Sequence, residues 1–334
     1  MVDSPFATRG RRVLVTHERL AESAIHLLNA HDVDVFFSPP YTASDLVAQR
    51  AAELKIDALI VRQGQVNEAV IAASPKLKVI AKHGVGVDNI DLHAAEKRRI
   101  PVLRAMGSNA RAVAEHTIAL SLTLLKEIPG LDSAVKGGAW PKPTFIGRDI
   151  VGTVMGIVGF GAIGQHVARL AKSIGMAVIM YDPYAEREIS QFDRDGNREL
   201  DVLLAESDIV SLHCPLTNAT RNLLDTQRFD LMKPTSFVVN TARGGLISEP
   251  ALCEALRGGR IAGAGLDSFA IEPPAKDNPL WGMPNVIVTP HIGGVTHGSA
   301  TAMAEIAAQH VISVLDGHAP DSRSLARPME LAAQ

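Results

Sequence analysis

Cysteine is scarce. The 334 residues include only Cys214 and Cys253, with no C-x-x-C; this excludes a disulfide framework and leads us to expect a reducing, cytoplasmic setting. Aromatic residues make up 4% of the chain, too few for the stacking platforms that hold single-stranded nucleic acid. An excess of one charge is also missing. The net charge of −3 gives neither nucleic acid nor a membrane surface anything to pull on, so neither is an expected partner. No apolar run approaches a membrane span, and the opening MVDSPFATRGRR lacks the apolar core of a signal peptide. The twelve histidines show no metal-ligand spacing, His291 and His297 included, and no metal is expected. Repeats and low-complexity segments are absent too.

What is present is an ordinary globular composition, 46% hydrophobic and 21% charged, in a chain long enough for two cores. One stretch, VMGIVGFGAIGQHVARLAKSIGMAVIMYD over 154–182, organises the rest. Its opening apolar run has the length and composition of a buried parallel strand. Gly159, Gly161 and Gly164 follow at G-x-G-x-x-G spacing, then a helical pattern ended by Gly175, then a second strand over 177–181. The first glycine permits a tight turn, the second lets backbone approach a pyrophosphate, and the third lets helix pack on sheet. The first helical residues, Ala162 and Ile163, would turn their N–H groups to the phosphates. Asp182, eighteen residues past Gly164, is placed to accept hydrogen bonds from ribose hydroxyls. A carboxylate there repels a 2′-phosphate, and no Arg follows at Pro183 or Tyr184, so NAD is expected over NADP.

Along the chain, residues 1–12 are polar and expected to fray. Strands are predicted over 13–15, 33–37, 57–61, 77–81 and 100–103. They alternate with helices over 20–29, 42–52 (capped by Thr42 or Ser44) and 66–73. A long apolar helix over 112–128 is expected to stop at Pro129-Gly130. Past the glycine loop, strands are predicted over 209–212, 237–240, 263–267 and 286–289, and a closing helix over 299–315. The expected fold is α/β: two Rossmann/flavodoxin-like doubly wound parallel-sheet domains with an active-site cleft between them. The substrate domain is read as 1–104 with 292–334, and the dinucleotide domain as 105–291.

Three of the later strands run directly into polar motifs: Asn240-Thr241-Ala242-Arg243-Gly244-Gly245, Asp267-Ser268-Phe269-Ala270-Ile271-Glu272-Pro273-Pro274, and Thr289-Pro290-His291-Ile292-Gly293-Gly294. Ligands of open parallel sheets bind beyond the carboxyl ends of the strands, so an Arg, a Glu and a His are brought to the cofactor side. With HGVGVDNID (83–91), RAVAEHTIAL (111–120) and HCPLT (213–217), these motifs resemble the D-isomer-specific 2-hydroxyacid dehydrogenases over nearly the whole chain. GVGVDNID is most similar to the 3-phosphoglycerate dehydrogenase branch, here in a short form without a regulatory domain.

The resemblance implies a hydride transfer between NAD and a small 2-hydroxy/2-keto acid. It implies that Arg243 binds the substrate carboxylate and polarises the keto oxygen. His291 would be the general acid/base, oriented by Glu272, which stabilises its protonated form. Val85 and Gly86 would hold the carboxylate through backbone N–H groups, and Arg62 and Lys82 are candidates for a substrate phosphate. Asp267 would hold the nicotinamide carboxamide, with Thr241, Ala242 and Gly294 lining that end. His213, Cys214, Pro215 and Thr217 would lie along the adenosine and pyrophosphate, Cys214 as a lining residue with no base in sequence to activate it. His116 reads as a core or interdomain histidine, and His83 as bordering the substrate pocket or structural. A homodimer through the NAD domain is expected by analogy, with the passage around Trp140 as its arm.

The sequence departs from the family pattern at Ala162, where an arginine often touches the pyrophosphate, and at Lys126-Glu127, where a phosphate-binding arginine would have completed that site. The chain ends soon after its closing helix, so effector inhibition is not expected. Two alternatives stay open: a glyoxylate/hydroxypyruvate reductase, and a non-catalytic NAD-sensing protein of the corepressor kind. Glu272 argues against a formate-type member, which lacks the Glu-His pairing.

Overall fold

The computed structural model describes residues 10–193 and 196–328. Most of the expected fray, 1–9, lies outside the described residues, and its end is already strand. β1 (Arg11–Val15) is followed by α1 (Glu22–Ala30), β2 (Val33–Phe37), α2 (Ser44–Leu54), β3 (Ala58–Val61), α3 (Glu68–Ala72), β4 (Val79–Lys82), α4 (Leu92–Lys97) and β5 (Val102–Arg104). Next come α5 (Ala110–Leu125), α6 (Ile128–Lys136), β6 (Val154–Val158), α7 (Ala162–Ser173), β7 (Ala177–Tyr181), α8 (Glu186–Phe192) and α9 (Leu200–Glu206). They lead to β8 (Ile209–Leu212), α10 (Thr226–Leu231), β9 (Phe237–Asn240), α11 (Glu249–Arg257), β10 (Gly263–Leu266) and β11 (Val286–Val288). The chain closes with α12 (His297–Leu315) and β12 (Leu325–Ala326).

Two compact units result, one running up to Asn109 and resuming at Val295, the other Ala110–Gly294. Both junctions lie a few residues beyond the sequence boundaries of 104 and 291. The loop after β5 stays with its own sheet, and the TPHIGG turn stays with β11.

The first unit is a sheet in the order β12-β5-β4-β3-β1-β2, parallel except where β12 pairs antiparallel with β5. Successive residues of β1 face opposite layers. Val13 and Val15 pack with Ala24 and Leu28 of α1 and with Ala304, Ala307 and Val311 of α12. Leu14 packs instead with Val47, Val70 and Ile71 of α2 and α3.

The second unit has the order β11-β10-β9-β8-β6-β7, parallel throughout. A single bridge between Met180 and Asn197 extends it past β7. Its central strands β8 and β9 are fully buried, as expected of strands covered on both faces. The strand order reverses at β6, which pairs with both β7 and β8. A topological switch of this kind opens a crevice at the carboxyl ends of the strands.

Several local expectations are corrected. The helix read as 112–128 is α5, and the break comes at Glu127, where φ is 51°. Pro129 does not stop a helix; it starts α6, since its fixed φ suits the first turn and its missing N–H is not needed there. Neither Thr42 nor Ser44 caps α2: Ala43 stands at the cap, Thr42 Oγ1 donates to Pro39 O and Ser44 Oγ to Gln65 O. Among the described residues, no helix is long and apolar enough to cross a membrane.

Candidate active site

The glycine loop lies at the switch point of the second unit. Gly159 has φ +96°, and a Cβ on it would sit 2.6 Å from Cys214 N. The loops after β6 and β8 therefore press together there, and only glycine fits. A Cβ on Gly164 would meet Gly159 O at 2.1 Å, whereas around Gly161 nothing lies within 4 Å. Two glycines thus serve packing, and the third leaves space in front of the start of α7. No side chain caps that helix, so the N–H groups of Ala162 and Ile163 have no intrahelical partner. Open backbone at Gly161 before an uncapped helix N-terminus fits a pyrophosphate.

Asp182 stands beside it with both oxygens engaged from the backbone. Oδ2 accepts from Phe160 N at 2.8 Å and Oδ1 from Tyr184 N at 2.9 Å. A carboxylate has about four acceptor sites, so it retains capacity for ribose hydroxyls while bracing the loop. Burial pushes His213 down to about 3 and the Cys214 thiol up to about 11. The imidazole is therefore neutral, and the thiol is no nucleophile. His213 Nε2 pairs with Ser211 Oγ at 2.8 Å, while its buried Nδ1 has no partner among the described residues. Past Pro215, the Thr217 N–H donates to Thr220 Oγ1 at 2.7 Å in a tight turn.

Three adjacent strands, β9, β10 and β11, present Arg243, Glu272 and His291 beyond their carboxyl ends. Glu272 Oε2 lies 2.7 Å from His291 Nδ1, and Oε1 accepts from Phe269 N at 3.0 Å. Partial burial disfavours the Glu272 carboxylate, but the hydrogen bonds from His291 and Phe269, with the charges of His291 and Arg243, outweigh it and hold this carboxyl below its ordinary value. Because the carboxylate can only accept, Nδ1 carries a proton, and Nε2 is the nitrogen left to exchange one. The His291 and Glu272 side chains are 44% and 36% exposed, so a ligand can reach them. His291 has φ 55°, a left-handed conformation uncommon outside glycine and costly enough that the surrounding turn must enforce it.

A family model described as "D-isomer specific 2-hydroxyacid dehydrogenase, NAD binding domain" matches residues 118–293. The chain belongs to that dehydrogenase family. It is 38% identical over 307 residues to the D-3-phosphoglycerate dehydrogenase of Archaeoglobus fulgidus, covering 92% of this chain and 58% of that one. It spans about half the length of the curated relatives it matches. Among solved structures it is similar to the TT0316 protein of Thermus thermophilus, with 35% identity, a TM-score of 0.82, and 92% of this chain and 98% of that chain covered. The D-isomer-specific 2-hydroxyacid dehydrogenase of Lactobacillus delbrueckii ssp. bulgaricus, solved in its NAD-complexed form, has 27% identity and a TM-score of 0.79, covering 95% and 100% of the two chains.

In this 2-hydroxyacid dehydrogenase family member, the candidates for holding the substrate from the first unit are at the end of β4 (Lys82) and on the loops after β3 and β4. Val85 and Gly86 are half-buried beyond β4. Lys82 is tied into the fold: its Nζ donates to Arg62 O at 3.1 Å and to Asn89 Oδ1 at 3.0 Å. Arg62 is half-buried, and its Nη1 donates to Arg19 O at 2.6 Å. His83 is pushed down to about 4 by burial and by the Arg62 charge, which keeps it neutral. Two residues were not legible as site residues. Asn240, fully buried, knits the Arg243 turn by donating to Arg243 O and accepting from Ala242 N. Glu249 Oε1 accepts from Ala270 N at 2.8 Å and steadies the loop that bears Glu272. A polar residue ending an apolar strand is a signal for Asn240; Glu249 gives none.

Proposed function

We propose that this protein is an NAD-dependent oxidoreductase that interconverts a D-2-hydroxy acid and its 2-keto acid, 3-phosphoglycerate dehydrogenase-like. The observation that carries the reading is the 2.7 Å pair of Glu272 and His291 at a strand end next to that of Arg243. In the direction of reduction, His291 Nε2 gives its proton to the keto oxygen and Glu272 stabilises the imidazolium before that transfer. Arg243 holds the carboxylate with its two-pronged fork and draws charge onto the keto oxygen. When bound, NADH supplies the hydride. Gly159, Gly161, Ala162, Ile163 and Gly164 would hold its pyrophosphate and Asp182 its ribose. Thr241, Ala242, Asp267 and Gly294 would line its nicotinamide end.

The relatives named D-3-phosphoglycerate dehydrogenase favour a phosphorylated substrate. Of the two cations read as phosphate ligands, Lys82 is the more committed to the fold, which leaves Arg62 as the residue to test. A homodimer through the second unit is supported by the apolar side chains exposed over 128–151, among them Trp140 at 70% and Ile146 at 90%. Two free cysteines, Cys214 and Cys253, suit a cytoplasmic setting.

The test is steady-state oxidation of NADH, with NADPH in parallel, against 3-phosphohydroxypyruvate, hydroxypyruvate, glyoxylate and pyruvate. We expect the phosphorylated acid to exceed the others in kcat/KM by about tenfold or more, the weight of one charge-assisted bond. Arg62→Gln should cancel that preference. Equal turnover of all four acids would make this a general 2-keto-acid reductase. Bound NADH without turnover of any of them would defeat the enzymatic reading.

Asp182→Ala should cut the preference for NADH over NADPH by about tenfold or more, because the repulsion of a 2′-phosphate goes with the carboxylate. NADH affinity itself should weaken, since Phe160 N loses its acceptor. An unchanged cofactor ratio would mean that the ribose is held elsewhere.

A further inference from the structure

Helix α5 is bonded to two strand ends through consecutive residues. His116 Nε2 lies 3.0 Å from Thr289 Oγ1, just beyond β11, and Thr117 Oγ1 lies 2.8 Å from Thr241 Oγ1, just beyond β9. The donors can be assigned in turn. Thr117 Oγ1 donates to Val113 O at 2.8 Å, so it accepts from Thr241. Thr289 Oγ1 donates to Asp267 Oδ1 at 2.6 Å, so it accepts from His116, which must carry its proton on Nε2.

The chain ends on a buried carboxylate. Asp267, 1% exposed, also accepts from Ile292 N at 2.9 Å and from Gly293 N at 2.7 Å. With Thr289 before it and Ile292 and Gly293 after it, these donors to Asp267 bracket His291 and hold the turn in which it adopts φ 55°. Gly293 is wedged in the same network: a Cβ on it would lie 2.9 Å from Asp267 Oδ2 and 3.3 Å from His116 Cδ2. The spacing repeats at the other strand end, for Arg243 stands two residues after Thr241 as His291 stands two after Thr289.

We propose that His116 is a positioning residue. With Thr117 beside it, it makes α5 a strut that fixes the separation of the two strand ends, and with it the placement of His291 relative to Arg243. The proposal rests on the reading of those two as the groups that protonate and bind the substrate. Displacing a reacting group by about 1 Å can cost on the order of a hundredfold in rate, so a hydrogen bond one step removed from the chemistry carries weight.

The test compares His116→Phe, which keeps a ring but loses the donor, with His116→Gln, whose side-chain amide restores one. His116→Phe is expected to lower kcat by about 10- to 100-fold, to shift the pH midpoint of kcat, and to leave the Kd for NADH within about threefold (on the order of 0.7 kcal/mol). His116→Gln should recover most of the loss. The charged group bonded to His291 is Glu272, with Arg243 acting on Glu272, and His116 itself lies 3.6 Å from the Asp267 carboxylate. Both variants remove the imidazole and leave the other three in place, so a midpoint shifted by His116→Phe and restored by His116→Gln reports geometry rather than charge. Unchanged kcat and midpoint in His116→Phe would overturn the proposal. So would a loss shared by both variants together with NADH binding, which marks simple packing. If the wild-type protein turns over no 2-keto acid, the functional reading fails but the strut is still decided by the His291 ring resonances in the NADH-bound protein. A titration displaced by His116→Phe and restored by His116→Gln supports it, and an unmoved one overturns it.

Discussion

Replacing His291 with Asn lowers kcat by about 10²–10⁴-fold, the usual cost of losing a general acid/base, while NADH still binds. The loss is equivalent to about 3–5 kcal/mol of transition-state stabilisation. Asn is the variant of choice because His291 has φ 55°, and Asn tolerates the left-handed region better than Ala does. A loss in His291→Asn is therefore not a disguised folding defect. The pH profile makes the test sharper. Glu272 is held below the ordinary carboxyl range by His291, Phe269 and Arg243 against the cost of its partial burial, so it is ionised throughout the neutral range. His83 and His213, pushed by burial to about 4 and about 3, are neutral there. An ionisation governing kcat near neutral pH is therefore expected to vanish in His291→Asn and to persist, displaced, in His116→Phe. Steady-state rates between pH 5 and 9 and NADH titration by fluorescence check both parts, and near-wild-type turnover would sink the acid/base role.

How much of this could be read from the residues depends on how local each signal is. β6 and β8 are apolar runs because strands buried on both faces have no polar side to show, so their positions were plain. Arg243 and Glu272 stand out for a related reason: each follows a buried strand, where a charged side chain has no place unless the chain has just left the sheet. His291 stands out by its motif alone, since the edge strand before it is half-buried to exposed. The glycine loop is legible in pattern and in its division of labour, with Gly161 for close approach and Gly164 for packing. That Gly159 is fixed by packing as well as by its turn appears only when the Cys214 backbone is seen against it. The short elements escaped for physical reasons. α4 is six residues capped by Asp91, directly after a motif that reads as a substrate loop, and β12 is two residues held by β5. Lys82 looked like a free cation because nothing in its neighbours reveals that Asn89 and the Arg62 carbonyl fold back onto it. His116 reads as a core or interdomain histidine, since its partner Thr289 is 173 residues away.

Arg243 is the second residue whose loss should be severe, and its two substitutions separate charge from shape. The turn that carries it is rigid: Asn240 bonds both Arg243 O and Ala242 N. Gly244 is pressed so closely on the Glu272 loop that a Cβ would lie 1.9 Å from Phe269 C. The guanidinium carried by this turn donates Nη1 to Ala242 O at 2.7 Å, and its other N–H groups can offer a substrate carboxylate charge-assisted bonds each worth about 1.5–3 kcal/mol. Arg243→Ala should therefore lower kcat/KM by about 10²–10⁴-fold. Part should appear as a raised KM, because the carboxylate is bound in ground and transition states alike. The remainder should fall on kcat, because charge on the keto oxygen grows only as hydride arrives. Arg243→Lys keeps the charge and loses the fork, so KM should stay high. The pH dependence then divides the pair. The Arg243 charge helps to hold the Glu272 carboxyl down, so Arg243→Ala raises that carboxyl and moves the acid limb of kcat/KM upward, whereas Arg243→Lys leaves it nearly in place. An Arg243→Ala variant with the wild-type KM would show that the carboxylate is held by other groups and would reassign this arginine to a structural role in the turn.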